Sequence, residues 1–166
     1  MKTLLAGLMC VLCASTASAQ ADQVVSWRSI EGVITSQNVD NPVADIHSGT
    51  FAWTVRSGHA RVNLQTGAAA FGVQGLVING SPFSGTPGPI ASVTGTLVCD
   101  AGEVNESVFD TPDVPLSATG EANFSGNIGP IPSPCGNPLF LVRIATPEGA
   151  RGLWIATGAG RTSGND

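Results

Sequence analysis

The cleanest alternation of apolar and polar positions runs over residues 114–128, VPLSATGEANFSGNI. Leu116, Ala122, Phe124 and Ile128 fall on one side of an extended chain, with Ala118, Gly120 and Gly126 between them. Ser117, Thr119, Glu121, Asn123, Ser125 and Asn127 fall on the other. A period of two over this length predicts one half-buried central strand, or a strand with a bulge at a glycine.

The same reading along the chain predicts many short strands. Residues 24–35, VVSWRSIEGVIT, carry apolar groups on both sides and read as a strand that changes face near Glu31 and Gly32. Residues 36–48 have no period and contain the turn signal Asn41-Pro42. Phe51, Trp53 and Val55 point one way, and Ala60, Val62 and Leu64 resume that face after Ser57-Gly58. This predicts a hairpin turning at Ser57-Gly58. A second turn at Gln65-Thr66-Gly67 leads into residues 68–78, where Ala69, Phe71 and Val73 extend the same face, giving a three-stranded meander.

Residues 79–89 are too rich in glycine and proline for a central strand and read as a surface loop. Residues 90–100 resume the alternation, with Val93, Gly95, Leu97 and Cys99 on one face. Residues 101–112 form an acidic connection, and residues 129–138, with four prolines around Cys135, an irregular surface run. LFLVRIA, residues 139–145, reads as the most buried strand, with Arg143 the exception. A turn at residues 146–149 precedes a last strand over 152–157. The expected fold is all-β, an antiparallel β-sandwich or flattened β-barrel of about eight to nine short strands. No period of 20 to 50 residues repeats, so a solenoid or propeller is not expected.

Composition changes this picture mainly at the ends. Lys2, the apolar stretch from Leu4 to Cys13 and the small residues Ala17-Ser18-Ala19 predict a secretory signal peptide over residues 1–19. That stretch is too short for a membrane anchor. Neither Cys10 nor Cys13 follows a small residue, which argues against lipid attachment. Residues 20–158 read as a single domain, and 159–166, rich in Gly and Ser, as a flexible tail.

Beyond residue 19 the chain has no Lys, Met or Tyr, and its six arginines face twelve acidic residues. That balance argues against nucleic acid, which requires a basic stripe to displace counterions, and against an anionic membrane. Cys99 and Cys135 remain as a pair. In an exported chain they predict one disulfide closing a loop of about 37 residues, worth about 4 kcal/mol in the chain-entropy account.

Candidate chemistry is sparse. Asp45-x-His47 could set a carboxylate beside an imidazole, but a metal centre also needs His59 to converge by fold, and none is expected. Arg56, His59 and Arg61 form a cationic group able to hold a carboxylate or sulfate on a sheet face. There is no G-x-S-x-G elbow, and the acidic residues 100–113 sit in a solvated connection. No catalytic residue and no cofactor is therefore assigned. Trp27, Trp53 and Trp154 could stack on sugars but fit core positions better. Asn79, Asn105 and Asn123 each begin an Asn-x-Ser triplet.

The order of Gly67–Leu76, then GTLVC at Gly95–Cys99, then FLVRIA before a Trp-containing strand resembles exported bacterial β-proteins. The resemblance implies a fold and no activity. The loop at Asn79 also resembles that of chordin-type repeat domains, but their paired histidines are missing here, so no site carries over. The expected role is binding or structural association at or outside the cell envelope, in a secreted or periplasmic setting, with a glycan or a protein as partner. A carbohydrate-associated module or small hydrolase using residues 79–89 and the acidic segment is the alternative.

Overall fold

The computed structural model describes residues 23–35, 39–146 and 152–164. The segment expected to be a signal peptide, with Cys10 and Cys13, lies outside these residues. So do most of the expected turn at 146–149 and the last two residues of the expected tail.

Eleven strands form among the described residues: β1 (Val24–Gly32), β2 (Ala52–Thr54), β3 (Ser57–Asn63), β4 (Ala68–Gln74), β5 (Val77–Asn79), β6 (Ser92–Cys99), β7 (Ser107–Asp110), β8 (Val114–Pro115), β9 (Ala122–Asn127), β10 (Leu139–Ile144) and β11 (Trp154–Gly164). Nine of them make one antiparallel sheet in the order β7-β6-β10-β11-β1-β3-β4-β9, with β8 also on β6, while β2 and β5 pair as a separate ribbon. The fold is all-β, as the alternation predicts, and the sheet curls into a half-barrel. Its inner face gathers aromatic rings from opposite walls. Phe71 of β4 meets Phe140 of β10 at 5.6 Å between centroids, and Trp27 of β1 meets Phe140 at 5.5 Å. Gly95 of β6 makes room for them, since a Cβ there would lie 2.7 Å from the Phe71 ring.

The Cys99–Cys135 disulfide is present, with Cα atoms 5.0 Å apart. It ties the proline-rich run to the end of β6. Asp100 reinforces the link: its amide donates to the Gly136 carbonyl at 2.7 Å, and its carboxylate accepts the Gly136 amide at 3.2 Å.

Several expectations are corrected. Residues 114–128 are not one central strand. β8 pairs with β6 and β9 with β4, so the stretch enters two different ladders, and a turn separates them. Gly120 makes that turn with φ +81°, and a Cβ there would sit 2.5 Å from the Leu76 backbone. The alternation continues across the turn because both flanking strands bury the same phase, which periodicity alone cannot separate from continuity.

The hairpin at Ser57-Gly58 is absent. β2 turns away to pair with β5, and Ser57 and Gly58 already belong to β3, which pairs with β4 and β1. The turn at residues 64–67 forms as expected and joins β3 to β4. The predicted meander is therefore one hairpin, β3–β4, whose next neighbour is β9. In β1 the change of face comes earlier than expected, since Trp27 and Ile30, three residues apart, are both buried. β7 forms inside the acidic connection. Residues 159–164, expected to belong to a flexible tail, continue β11, which pairs with β1 from Val24↔Gly164 to Gly32↔Ala156.

Arg143 is not the exposed exception of β10: it is 3% exposed. Nη2 lies 2.6 Å from Asp110 Oδ1, Nε donates to Thr96 Oγ1 at 2.6 Å, and Thr96 Oγ1 donates to Asp110 at 2.7 Å. Beside this group Thr94 donates to Asp113 at 2.5 Å. A buried guanidinium needs such a partner set.

Candidate functional site

The β2–β5 ribbon and the loops around it border an open site. Trp53, in the middle of β2, is buried and its amide donates to the Val33 carbonyl at 2.9 Å, which fixes the ribbon to the end of β1. Alternation then turns the neighbours of Trp53 outward. Phe51, expected on the core face, is 39% exposed: it directly precedes β2, at the rim of the ribbon. Beyond β5 the chain folds back on itself: Ile78 N donates to Thr86 O, Gly85 N to Ile78 O and Ser84 N to Ser81 O, each at 2.9 Å. This loop carries Phe83, 49% exposed. The result is a shallow groove of about 330 Å³ between Thr35, Thr50, Phe51 and Ala52 on one side and residues 79–82 on the other. Among the described residues no charged one lines it. Ile34, 92% exposed, stands next to Thr35 at the rim.

The loop entering this groove is held by a carboxylate. His47 Nδ1 lies 2.5 Å from Asp40 Oδ2, and Asp40 Oδ1 accepts the Ser48 amide at 2.9 Å and the Ser48 hydroxyl at 3.3 Å. Asn41 N donates to Ser48 Oγ at 2.9 Å. Trp154 anchors the loop to β11: its indole N–H donates to Asn41 O at 2.8 Å and its amide to His47 O at 2.9 Å. The hydrogen bond from His47, followed by that from the Ser48 amide, holds Asp40 below the usual carboxylate range. The same bond to Asp40 raises His47 above the ordinary imidazole value. Asp, His and Ser thus meet, but the Ser48 hydroxyl is bonded to the carboxylate rather than to the imidazole. It is buried and braces the loop, and has no base to activate it.

The carboxylate beside His47 is thus Asp40, seven residues away, where the sequence pointed to Asp45. No periodicity in residues 36–48 marks that pairing. Among the described residues no group of three or more His, Cys, Asp and Glu side chains could hold a metal ion.

His59 and Arg61 share the exposed face of β3, alternating with buried Ala60 and Val62. Arg61 is flanked in register by Ser26 of β1 and Ala70 of β4. It lines a shallow depression of about 240 Å³ with Asn63, Ala68, Ala70 and Ser125. Arg56 precedes the strand instead of facing it across a turn, and its guanidinium lies 3.9 Å from Glu121. Glu121 also accepts hydrogen bonds from the Ser117 and Thr119 hydroxyls, which, in that order, hold it below its ordinary value. Of the three, Arg56 thus has an acid beside it, while His59 and Arg61 stand on the open face of β3.

Trp27, Trp53 and Trp154 are all buried, as core positions require. Asn79, Asn105 and Asn123 are all exposed. No helix among the described residues is long and apolar enough to cross a membrane. No protein-family model matches the chain, and neither a curated protein nor a solved structure matches it.

Proposed function

We propose that this chain is an exported, non-enzymatic binding domain whose groove beside Phe51 takes a neutral, hydroxyl-rich ligand, a saccharide. The observation that carries this reading is the lining of the groove: a half-exposed aromatic ring beside Asn, Ser and Thr side chains, with no charge among the described residues. A flat ring offers its face to the C–H face of a sugar, and amide and hydroxyl groups at the rim match sugar hydroxyls. An anionic ligand would find no cation there, and a cationic one no acid. The internal hydrogen bonds of residues 78–86 favour binding by reducing the ordering that the ligand must impose. Export through the signal peptide at residues 1–19 belongs to the same reading, and the Cys99–Cys135 bridge suits an oxidising compartment.

Titration calorimetry against neutral oligosaccharides selected on a glycan array tests it. Binding is expected for the wild type and is expected to fall about tenfold or more in Phe51→Ala, with the melting temperature nearly unchanged. A chain that binds no neutral glycan, or whose binding ignores Phe51→Ala and Asn79→Ala, does not use this groove. Amino-terminal sequencing of the exported protein checks the cleavage after Ala19.

A further inference from the structure

In a chain of net charge −5, one part of the outer face carries no acid. β3, β4 and β9 contain neither Asp nor Glu. The one acid of β1, Glu31, pairs with Thr157 of β11, beyond the stretch Val24–Trp27 that is laddered to β3. Glu121, just before β9, is committed to Ser117, Thr119 and Arg56. The charges that this face does present are cationic, Arg61 on β3 and Arg28 on β1, both exposed.

Arg61 lines the depression of about 240 Å³. Its cause is a single cross-strand row, in which Arg61 lies opposite Ala70 and Ala70 opposite Ser125. Arg61 and Ser125 are therefore about 10 Å apart, two strand spacings, with only a methyl group between them. Asn63 borders the same depression. Its Oδ1 accepts the amides of Gln65 and Thr66, both at 3.0 Å, so what it has left to offer is its NH2 group, a donor. Among the described residues neither that group, nor the Arg61 guanidinium, nor the Ser125 hydroxyl has a hydrogen-bond or ion-pair partner.

We infer that Arg61, Asn63 and Ser125 form a site for the carboxylate of a sugar acid. The planar guanidinium matches a carboxylate through two parallel N–H···O bonds. The Asn63 NH2 group and the Ser125 hydroxyl are neutral partners for the ring hydroxyls of the same molecule. A doubly charged phosphate would call for a second cation, and among the described residues none lines the depression. The net charge of −5 also opposes a densely charged polyanion, so a ligand with one carboxylate fits best. The site shares no lining residue with the groove at Phe51 and does not rest on the reading of that groove.

Isotope-labelled protein titrated with glucuronate, acetate and glucose tests this through the amide resonances of Arg61, Ala70 and Ser125. Glucuronate is expected to move them to saturation. Acetate brings the carboxylate without the ring hydroxyls and is expected to bind about tenfold more weakly, and glucose is expected to leave the resonances in place. Arg61→Gln is expected to weaken glucuronate about tenfold or more, with the melting temperature unchanged because Arg61 is exposed. Asn63→Asp keeps the acceptor that the turn amides need, replaces the free donor with a carboxylate oxygen, and is expected to weaken binding as well. Glucuronate that leaves these amides unmoved overturns the inference, as does equal binding by the wild type and Arg61→Gln. Glucose that moves the same amides, or acetate that binds as tightly as glucuronate, overturns the assignment to a sugar acid. Phe51→Ala is expected to leave glucuronate binding unchanged, so failure of this site and failure of the groove are separate results.

Discussion

The wall formed by β6, β7 and β10 and the loop over residues 39–50 each contain a carboxylate joined to a cationic or cation-forming side chain, and they use it in opposite ways. In the wall, Arg143 is almost wholly buried and shares Asp110 with Thr96. Here the ion pair exists because a guanidinium without a partner could not occupy that position. In the loop, Asp40 and His47 both stand largely in solvent, with 45% and 68% of their side chains exposed. Nothing there forces the pair by burial, and its effect is local: it closes the loop that ends at Thr50 and Phe51. The same chemistry is obligatory in one region and adjustable in the other, and the solvent decides which.

The largest effect that separates the regions comes from the disulfide at the end of the wall. Replacing Cys99 and Cys135 together by Ala is expected to cost about 4 kcal/mol, read as a fall in the urea midpoint. The 39–50 loop, which shares no hydrogen bond with that bridge, should keep its native amide exchange in the fraction that remains folded. Loss of protection at Ser48 in the folded state would contradict this independence.

Asp110→Ala comes next. It leaves Arg143 buried with Thr96 alone, and a cost of about 3 kcal/mol is expected from an uncompensated buried charge. Arg143→Met should cost less, because it replaces the charge with an apolar chain of similar length and leaves Thr96 bonded to Asp110. Thermal unfolding of the two variants checks the order, and the reverse order would mean that the guanidinium contributes more than its partner's absence costs. A smaller effect belongs to Trp154→Phe, which removes one indole hydrogen bond to Asn41 and is expected to cost about 1 kcal/mol and to speed exchange in the loop. Equal exchange in the variant and the wild type would show that the backbone bonds from Trp154 suffice.

How far these regions are legible from the residues follows the same division. β6 and β10 are readable because burial imposes a pattern: Val93, Gly95, Leu97 and Cys99 alternate, and Leu139 to Val142 run apolar. The cysteine pair is readable because Cys99 and Cys135 are the two cysteines that lie outside the expected signal peptide. The break inside residues 114–128 is not readable, because Leu116 and Ala122 keep the same phase on both sides of the turn. Nor is the divergence of β2 from β3, where Trp53 and Ala60 are both buried but belong to different sheets. The Asp40–His47 contact leaves no periodic trace, since both side chains face solvent and nothing in their spacing separates Asp40 from Asp45. The groove is hidden for a related reason: Phe51 has the phase of a core residue and yet is exposed, directly preceding β2 at the rim of the ribbon.

The finest test of the comparison is the response of the loop to pH. His47 is raised above its ordinary value of 6.5, so what its protonated form contributes is complete below that value and is lost as pH rises through the raised one. Asp40 is held below its ordinary 3.8, so its contribution is present above that value and is lost as pH falls through the lowered one. The loop is therefore gripped hardest between these two ordinary values and loosens on both sides. The groups that bear on the pair are few: Asp45 also favours the charged imidazole, and the Ser48 amide the charged carboxylate. Amide exchange at Asn41 and Ser48, corrected for the intrinsic rate, reads the grip directly, since these amides donate to Ser48 Oγ and to Asp40. Protection is expected to decline toward alkaline pH in the wild type and to stay level there in His47→Ala, while the acid limb survives in both. If His47→Ala keeps the alkaline decline, the imidazole is not what closes the loop.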